Sequence, residues 1–220
     1  MVVPMVLPLI YTALYKRKFF FEIVLITLSI IGIVILYWPL TTNLQTIANI
    51  IPKLILFILI PFILLTSYWK TTKDEKDHLS LLGLSKKNLK PSIKMGIIFI
   101  PIMIGITFLA KILMNNPIIE PNYILGVFSF FESFTEEFLF RGILFLLLLT
   151  RTNVKIAYIT SLSSFILMHP QNLTNPFIIS TITQGVITLE ICRRTKNLAG
   201  AWIVHGSNRF FSIVLFPFFF

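Results

Sequence analysis

One cysteine, Cys192, is all that the 220 residues contain. That excludes an intrachain disulfide and a zinc cage built on cysteine, and leaves Cys192 as a small apolar side chain near a helix end. Charge is nearly as scarce: 13% of the chain is Asp, Glu, Lys or Arg, against 56% apolar residues. A soluble domain of that composition would expose large apolar patches. Acidic residues are the rarer sign, 9 against 19 basic, for a net charge of +10. In a chain this apolar the basic excess belongs to loops that set membrane topology, and nucleic acid is not an expected partner. There is no internal repeat, glycine-rich phosphate loop or His-Glu-x-x-His segment. Without the last, spacing does not decide whether a metal takes part. The opening stretch MVVPMVLPLIYTALY has no basic residue ahead of its apolar run; Lys16, Arg17 and Lys18 follow it. A retained, spanning or partly spanning segment is expected there, not a signal peptide.

What is present is apolar length. Eight segments can be drawn, at 2–15, 19–40, 48–69, 93–114, 123–149, 156–169, 176–192 and 198–216. About 20 apolar residues match the hydrocarbon thickness when helical. The expected fold is all-α: a polytopic transmembrane bundle of about eight helices in one domain, 1–220, with a central polar cavity. Pro52, Pro61 and Pro101 fall inside segments, which membrane helices tolerate. Alternate connections carry most of the Lys and Arg: Lys16–Lys18, seven lysines from Lys70 to Lys94, Arg151 and Lys155, then Arg193, Arg194 and Lys196. The connections between them, TTNLQTI, NNPIIEPN and HPQNLTNP, carry none. The basic side is therefore expected to be cytoplasmic, in a cell membrane of bacterial type. The 70–94 connection is a cytoplasmic loop whose middle, HLSLLGLSKKNLK, has the pattern of a short amphipathic helix on the inner leaflet.

The stretch FTEEFLFRG, Phe134 to Gly142, puts three charges in the middle of the fifth segment. A charge at mid-membrane costs at least about 2.5–3.5 kcal/mol, so it needs a partner, water or a proton. Glu137 and Arg141 are four apart, share a helix face and can pair. Glu136 is turned about 100° away and loses that arginine, while Glu132 shares its face with like charge. Glu137–Arg141 is thus expected to be structural, and Glu136 a carboxylate kept for moving protons. The alternative is that all three form a buried packing network. Two histidines join them. His169 ends FILMH on the sixth segment and His205 lies in IVHGSNRF on the eighth; His78 is in the cytoplasmic loop. Ser161, Ser163 and Ser164, with Thr181, Thr183, Gln184 and Thr188, add polar faces that could line a wet cavity.

These motifs resemble the CPBP family of intramembrane proteases: the type II CAAX prenyl proteases and the bacteriocin-processing or immunity-associated membrane proteins also called the Abi family. Glu136, Glu137 and Arg141 fit Glu-Glu-x-x-x-Arg, Phe165 and His169 fit Phe-x-x-x-His, and His205 with Asn208 approximates His-x-x-x-Asn. The likeness runs over 123–216, which it marks as a catalytic core. The asparagine usually lies four residues after the histidine; here Arg209 holds that place and Asn208 comes one residue early. Glu132 is the expected counter-charge of Arg209. The resemblance implies an endopeptidase acting on membrane-associated peptides or proteins. Glu136 would be the general base, His169 would help to hold the water, and His205 and Asn208 would face the oxyanion. Glu137, Arg141 and Phe165 would be structural support. The family is commonly described as metalloproteases, which would make Glu136, His169 and His205 the ligands of a Zn2+; a direct Glu/His mechanism is the other course. Rival functions are a catalytically silent immunity or regulatory scaffold, and a transporter or proton relay, which also buries Glu and His. Oligomeric state is left open.

Overall fold

The computed structural model describes residues 1–41, 50–72, 77–114 and 120–219. The connections TTNLQTI and NNPIIEPN lie largely outside the described residues, as do Lys73 and Lys76. Among the described residues the fold is all helical, with helices over the apolar segments. They are α1 (Val6–Tyr15), α2 (Phe20–Thr41), α3 (Ile50–Thr71), α4 (Leu89–Met114), α5 (123–151), α6 (Val154–Leu167), α7 (Phe177–Thr195) and α8 (Ala199–Val214). Three stretches, Arg17–Tyr37, Ile50–Thr71 and Leu89–Met114, are long and apolar enough to cross a membrane. The last has 26 residues, about 39 Å of helix against a hydrocarbon core of about 30 Å. Its outer face exposes Ile97, Ile98, Ile102 and Leu109, the inverted arrangement of an integral membrane protein.

Local chemistry sets the ends. Asn122 caps α5 by accepting from the Leu125 amide (2.8 Å), and Asn153 caps α6 by accepting from the Ile156 amide (3.0 Å). Helix α7 stops at Lys196, which takes a left-handed conformation (φ 54°). The helices are not uniform. Leu54–Leu59 of α3 and Phe138–Leu147 of α5 are π-helical. In α3 the widened turns precede Pro61, which has no amide hydrogen to donate, and the Ile60 amide donates to the Ile55 carbonyl five residues back.

Helix α5 is the axis of the molecule: every side chain from Phe138 to Leu148 is buried. Helix α8 packs along α4 and the first part of α5, α7 packs on α4, and α6 packs on the second part of α5. Glycines permit the closest crossing. A Cβ on Gly96 would lie 2.6 Å from the Gly200 carbonyl oxygen, so α4 and α8 touch backbone to backbone. Helices α1 to α3 lean on the α5–α6 side.

The 70–94 connection differs from the amphipathic helix expected in its middle. Among the described residues between α3 and α4, His78–Leu81 alone is α-helical. The chain then turns at Gly83 (φ 78°) and buries Leu82. Asn197 donates to the Ser85 and Lys87 carbonyls (2.7 and 3.2 Å), and Asn88 donates to the Thr195 carbonyl (2.9 Å). Tertiary hydrogen bonds thus take up backbone groups that a longer surface helix would have paired internally.

Candidate active site

Glu136 sits on the last regular turn of α5, immediately before its π-helical stretch, a kind of irregularity frequent at functional sites. Among the described residues its Oε2 has no hydrogen-bond partner, and it lies 3.7 Å from His169 Nε2 and 3.8 Å from His205 Nε2. Three segments distant in sequence therefore bring one carboxylate oxygen and two imidazole nitrogens around a single gap. A bridging water matches the spacing, because each pair is too far apart for a direct hydrogen bond and near enough for one shared molecule.

Each imidazole is held from behind. His169 lies beyond the end of α6, in the turn before the Pro170–Asn172 3-10 helix, not on the helix itself. Its Nδ1 donates to the Phe165 carbonyl four residues back (2.9 Å). His205 Nδ1 is 2.7 Å from Glu137 Oε1, and a carboxylate there accepts the Nδ1 proton. With both Nδ1 atoms engaged, Nε2 is the nitrogen each ring turns to Glu136. Phe165 adds a ring edge against both imidazoles, with centroids 4.9 Å from His169 and 6.1 Å from His205.

The Glu137–Arg141 pair expected from the spacing forms, at 3.2 Å and fully buried. Arg141 also donates to Thr188 Oγ1 (2.8 Å) and lies 4.2 Å from the Phe165 ring centroid. Glu137 thus has two duties: it neutralises Arg141 and orients His205. Arg209 meets Glu132 (2.9 Å), the counter-charge expected for it, and reaches Glu136 Oε1 as well (3.3 Å).

One residue escaped the sequence reading. Lys53, on α3, is buried and contacts both Glu132 and Glu136, the latter at 2.7 Å. It lies outside the 123–216 core. A signal for it existed: a lysine inside an apolar segment, at the end whose loops carry no basic residues, needs a buried acid. Glu136 is therefore not solitary; Lys53 and Arg209 hold Oε1 and leave Oε2 for the gap.

Asn208 is placed less directly. It lines the same cavity, about 360 Å³ in volume, but its Nδ2 donates to Gln184 Oε1 (2.9 Å). Ser180, Thr181 and Gln184 of α7 line it too, whereas Thr188 is spent on Arg141 and Ser161 on the Phe140 carbonyl. A divalent metal fits this set poorly. Glu136, His169 and His205 share a gap, but among the described residues no group of three His, Cys, Asp or Glu side chains is arranged to hold a metal ion. Lys53 and Arg209 already hold Oε1 of the carboxylate that would have to be a ligand, so a metal would compete with them for Glu136.

Neither the curated proteins nor the solved structures include a match to this chain. Residues 118–211 do match a family, the one described as type II CAAX prenyl endopeptidase Rce1-like. That stretch contains Glu136, Glu137, Arg141, Phe165, His169, His205 and Asn208, and its similarity to the Rce1-like endopeptidases is consistent with the CPBP resemblance of its motifs.

Proposed function

We propose that the protein is an intramembrane endopeptidase that hydrolyses membrane-associated peptides or proteins with a water activated directly by Glu136. The observation that carries this is the open Oε2 of Glu136 facing His169 Nε2 and His205 Nε2 across a gap of one water. In the reaction the water oxygen attacks the scissile carbonyl carbon, and its proton passes to Glu136 Oε2. His169 steadies the water through Nε2. The carbonyl oxygen becomes the oxyanion, faced by His205 Nε2–H and the Asn208 amide. With Nδ1–H given to Glu137, His205 can donate to the oxyanion through Nε2 only when both ring nitrogens carry a proton. Collapse of the tetrahedral species breaks the C–N bond, and the proton held by Glu136 goes to the leaving amine. Lys53 and Arg209 keep the carboxylate oriented throughout. No step passes through a metal.

The membrane setting completes the proposal. All eight helices lie in the bilayer, the shorter α1, α6 and α8 packed against the longer ones, with the polar cavity between them. The membrane is a bacterial cell membrane.

The test is cleavage of a peptide by the purified protein in lipid. Glu136→Gln should lower the rate by about 10²–10⁴-fold while thermal unfolding stays cooperative. A variant that cleaves as well as the wild type overturns the assignment.

A further inference from the structure

The helix ends that meet at the cavity are all on one side of the molecule. Tyr37 is late in α2 and Lys53 early in α3; Gln171 and Asn172 follow α6, Phe177 opens α7, and Ser212 is near the end of α8. Contacts confirm that these ends adjoin. Thr107 of α4 hydrogen-bonds Ser180 of α7 (2.7 Å), and Lys111 of α4 donates to the Ser212 carbonyl (2.8 Å). Every strongly basic connection lies at the opposite helix ends: Lys16–Lys18 before α2, Lys70 in the last turn of α3, Lys86 to Lys94 around the start of α4, Arg151 and Lys155 between α5 and α6, and Arg193 to Lys196 at the end of α7. A cavity at that opposite end, lined by Ser85, Lys87, Leu146 and Lys196 among others, shares no residue with the one at Glu136. Lys16 donates to the Thr152 carbonyl (3.1 Å), Asn88 and Asn197 tie the α7–α8 turn to the 77–88 segment, and the buried run from Phe138 to Leu148 fills the space beyond Glu136.

We propose that the cavity opens on the extracytoplasmic face, and that its substrate is a polar peptide segment presented from outside after export. The side follows from the bias that keeps Lys and Arg in cytoplasmic connections. The class follows from the mouth: Gln171 and Asn172 offer side-chain amides suited to an extended peptide backbone. The substrate half of the proposal rests on the endopeptidase reading; the side of opening does not.

Two measurements separate them. Wild-type protein is the blank, because Cys192, its one cysteine, is completely buried. Gln171→Cys and, as a second reporter on the same connection, Thr174→Cys are placed in right-side-out vesicles beside Lys86→Cys on the basic side. A membrane-impermeant maleimide should label the first two from outside. Lys86→Cys should show no label until the vesicles are permeabilised. Label at Lys86→Cys from outside, or at neither outer reporter until permeabilisation, overturns the proposed opening. A fluorogenic peptide is then supplied outside or enclosed inside vesicles of wild-type protein. Cleavage only of the outside peptide supports the substrate assignment, and cleavage only of the enclosed one overturns it. Outside labelling without cleavage on either side overturns the endopeptidase reading and leaves the opening standing.

Discussion

Four charges decide the state of the candidate base. Glu132 and Glu136, one helical turn apart on α5, would repel each other across a low-dielectric site. Lys53 from α3 and Arg209 from α8 bring two positive charges, and the cluster is formally neutral. Arg209 occupies the position where the resembled family has asparagine, and its partner Glu132 explains how an arginine is accommodated there. This gives a sign test at the residue scale. Arg209→Gln leaves two carboxylates against one ammonium and should lower cleavage by about 10²-fold, comparable to loss of one donor aimed at a reacting group. Glu132→Gln/Arg209→Gln restores neutrality and should recover most of that loss, a large positive coupling in a double-mutant cycle. Additive losses in kcat would show that Arg209 acts on the reacting atoms and not through Glu132.

At the scale of the element, α8 is placed by small residues more than by large ones. Gly96 and Gly200 allow it to touch α4, and Gly206, next to His205, lies against Phe130 of α5, where a Cβ would come 2.9 Å from the Phe130 carbonyl oxygen. A backbone atom cannot move aside as a side chain can. Gly206→Ala should therefore destabilise by about 1–3 kcal/mol, and it should reduce cleavage by pushing His205 off Glu137. Gly105→Ala is the control, since its Cβ would meet nothing within 4 Å; it should be neutral or stabilising by about 0.5–1 kcal/mol. Thermal unfolding in detergent beside the cleavage rate checks both. The two π-helical stretches also belong to this scale. One precedes a proline and the other follows the Glu-Glu pair, and apolar periodicity alone distinguishes neither from an ordinary helix turn.

At the scale of the whole molecule, a second buried charge cluster fastens the first three helices to the axis. Glu22 of α2 meets Arg151 at the end of α5 (2.7 Å) and accepts from Trp69 Nε1 of α3 (2.7 Å). Trp69 stacks on His78 with ring centroids 3.8 Å apart, and Arg151 lies 4.4 Å from the Phe19 ring centroid. This knot is at the basic end, away from the cavity. Glu22→Gln removes a buried carboxylate from Arg151 and should lower stability, by up to about 3–5 kcal/mol. The cleavage rate per folded molecule should be unchanged, because no residue of the knot lines the cavity. Unfolding curves and active-site titration on the same sample separate the two effects.

Apolar length marked the helical segments, because a chain in hydrocarbon must satisfy its backbone internally and announces each segment by composition. Four-residue spacing marked the Glu137–Arg141 pair, since both partners ride one helix face, and the ordered motifs named Glu136, His169 and His205. Lys53 could not be paired from the sequence, nor could Glu137 be assigned to His205, because each contact joins helices whose relative rotation is set by packing. The same packing turned the two imidazole Nε2 atoms onto one oxygen of Glu136 and gave the other oxygen to Lys53 and Arg209. Local pattern determines which side chains face inward; only the assembled bundle decides which of them meet, since that depends on crossing angles and close glycine contacts between segments far apart in the chain.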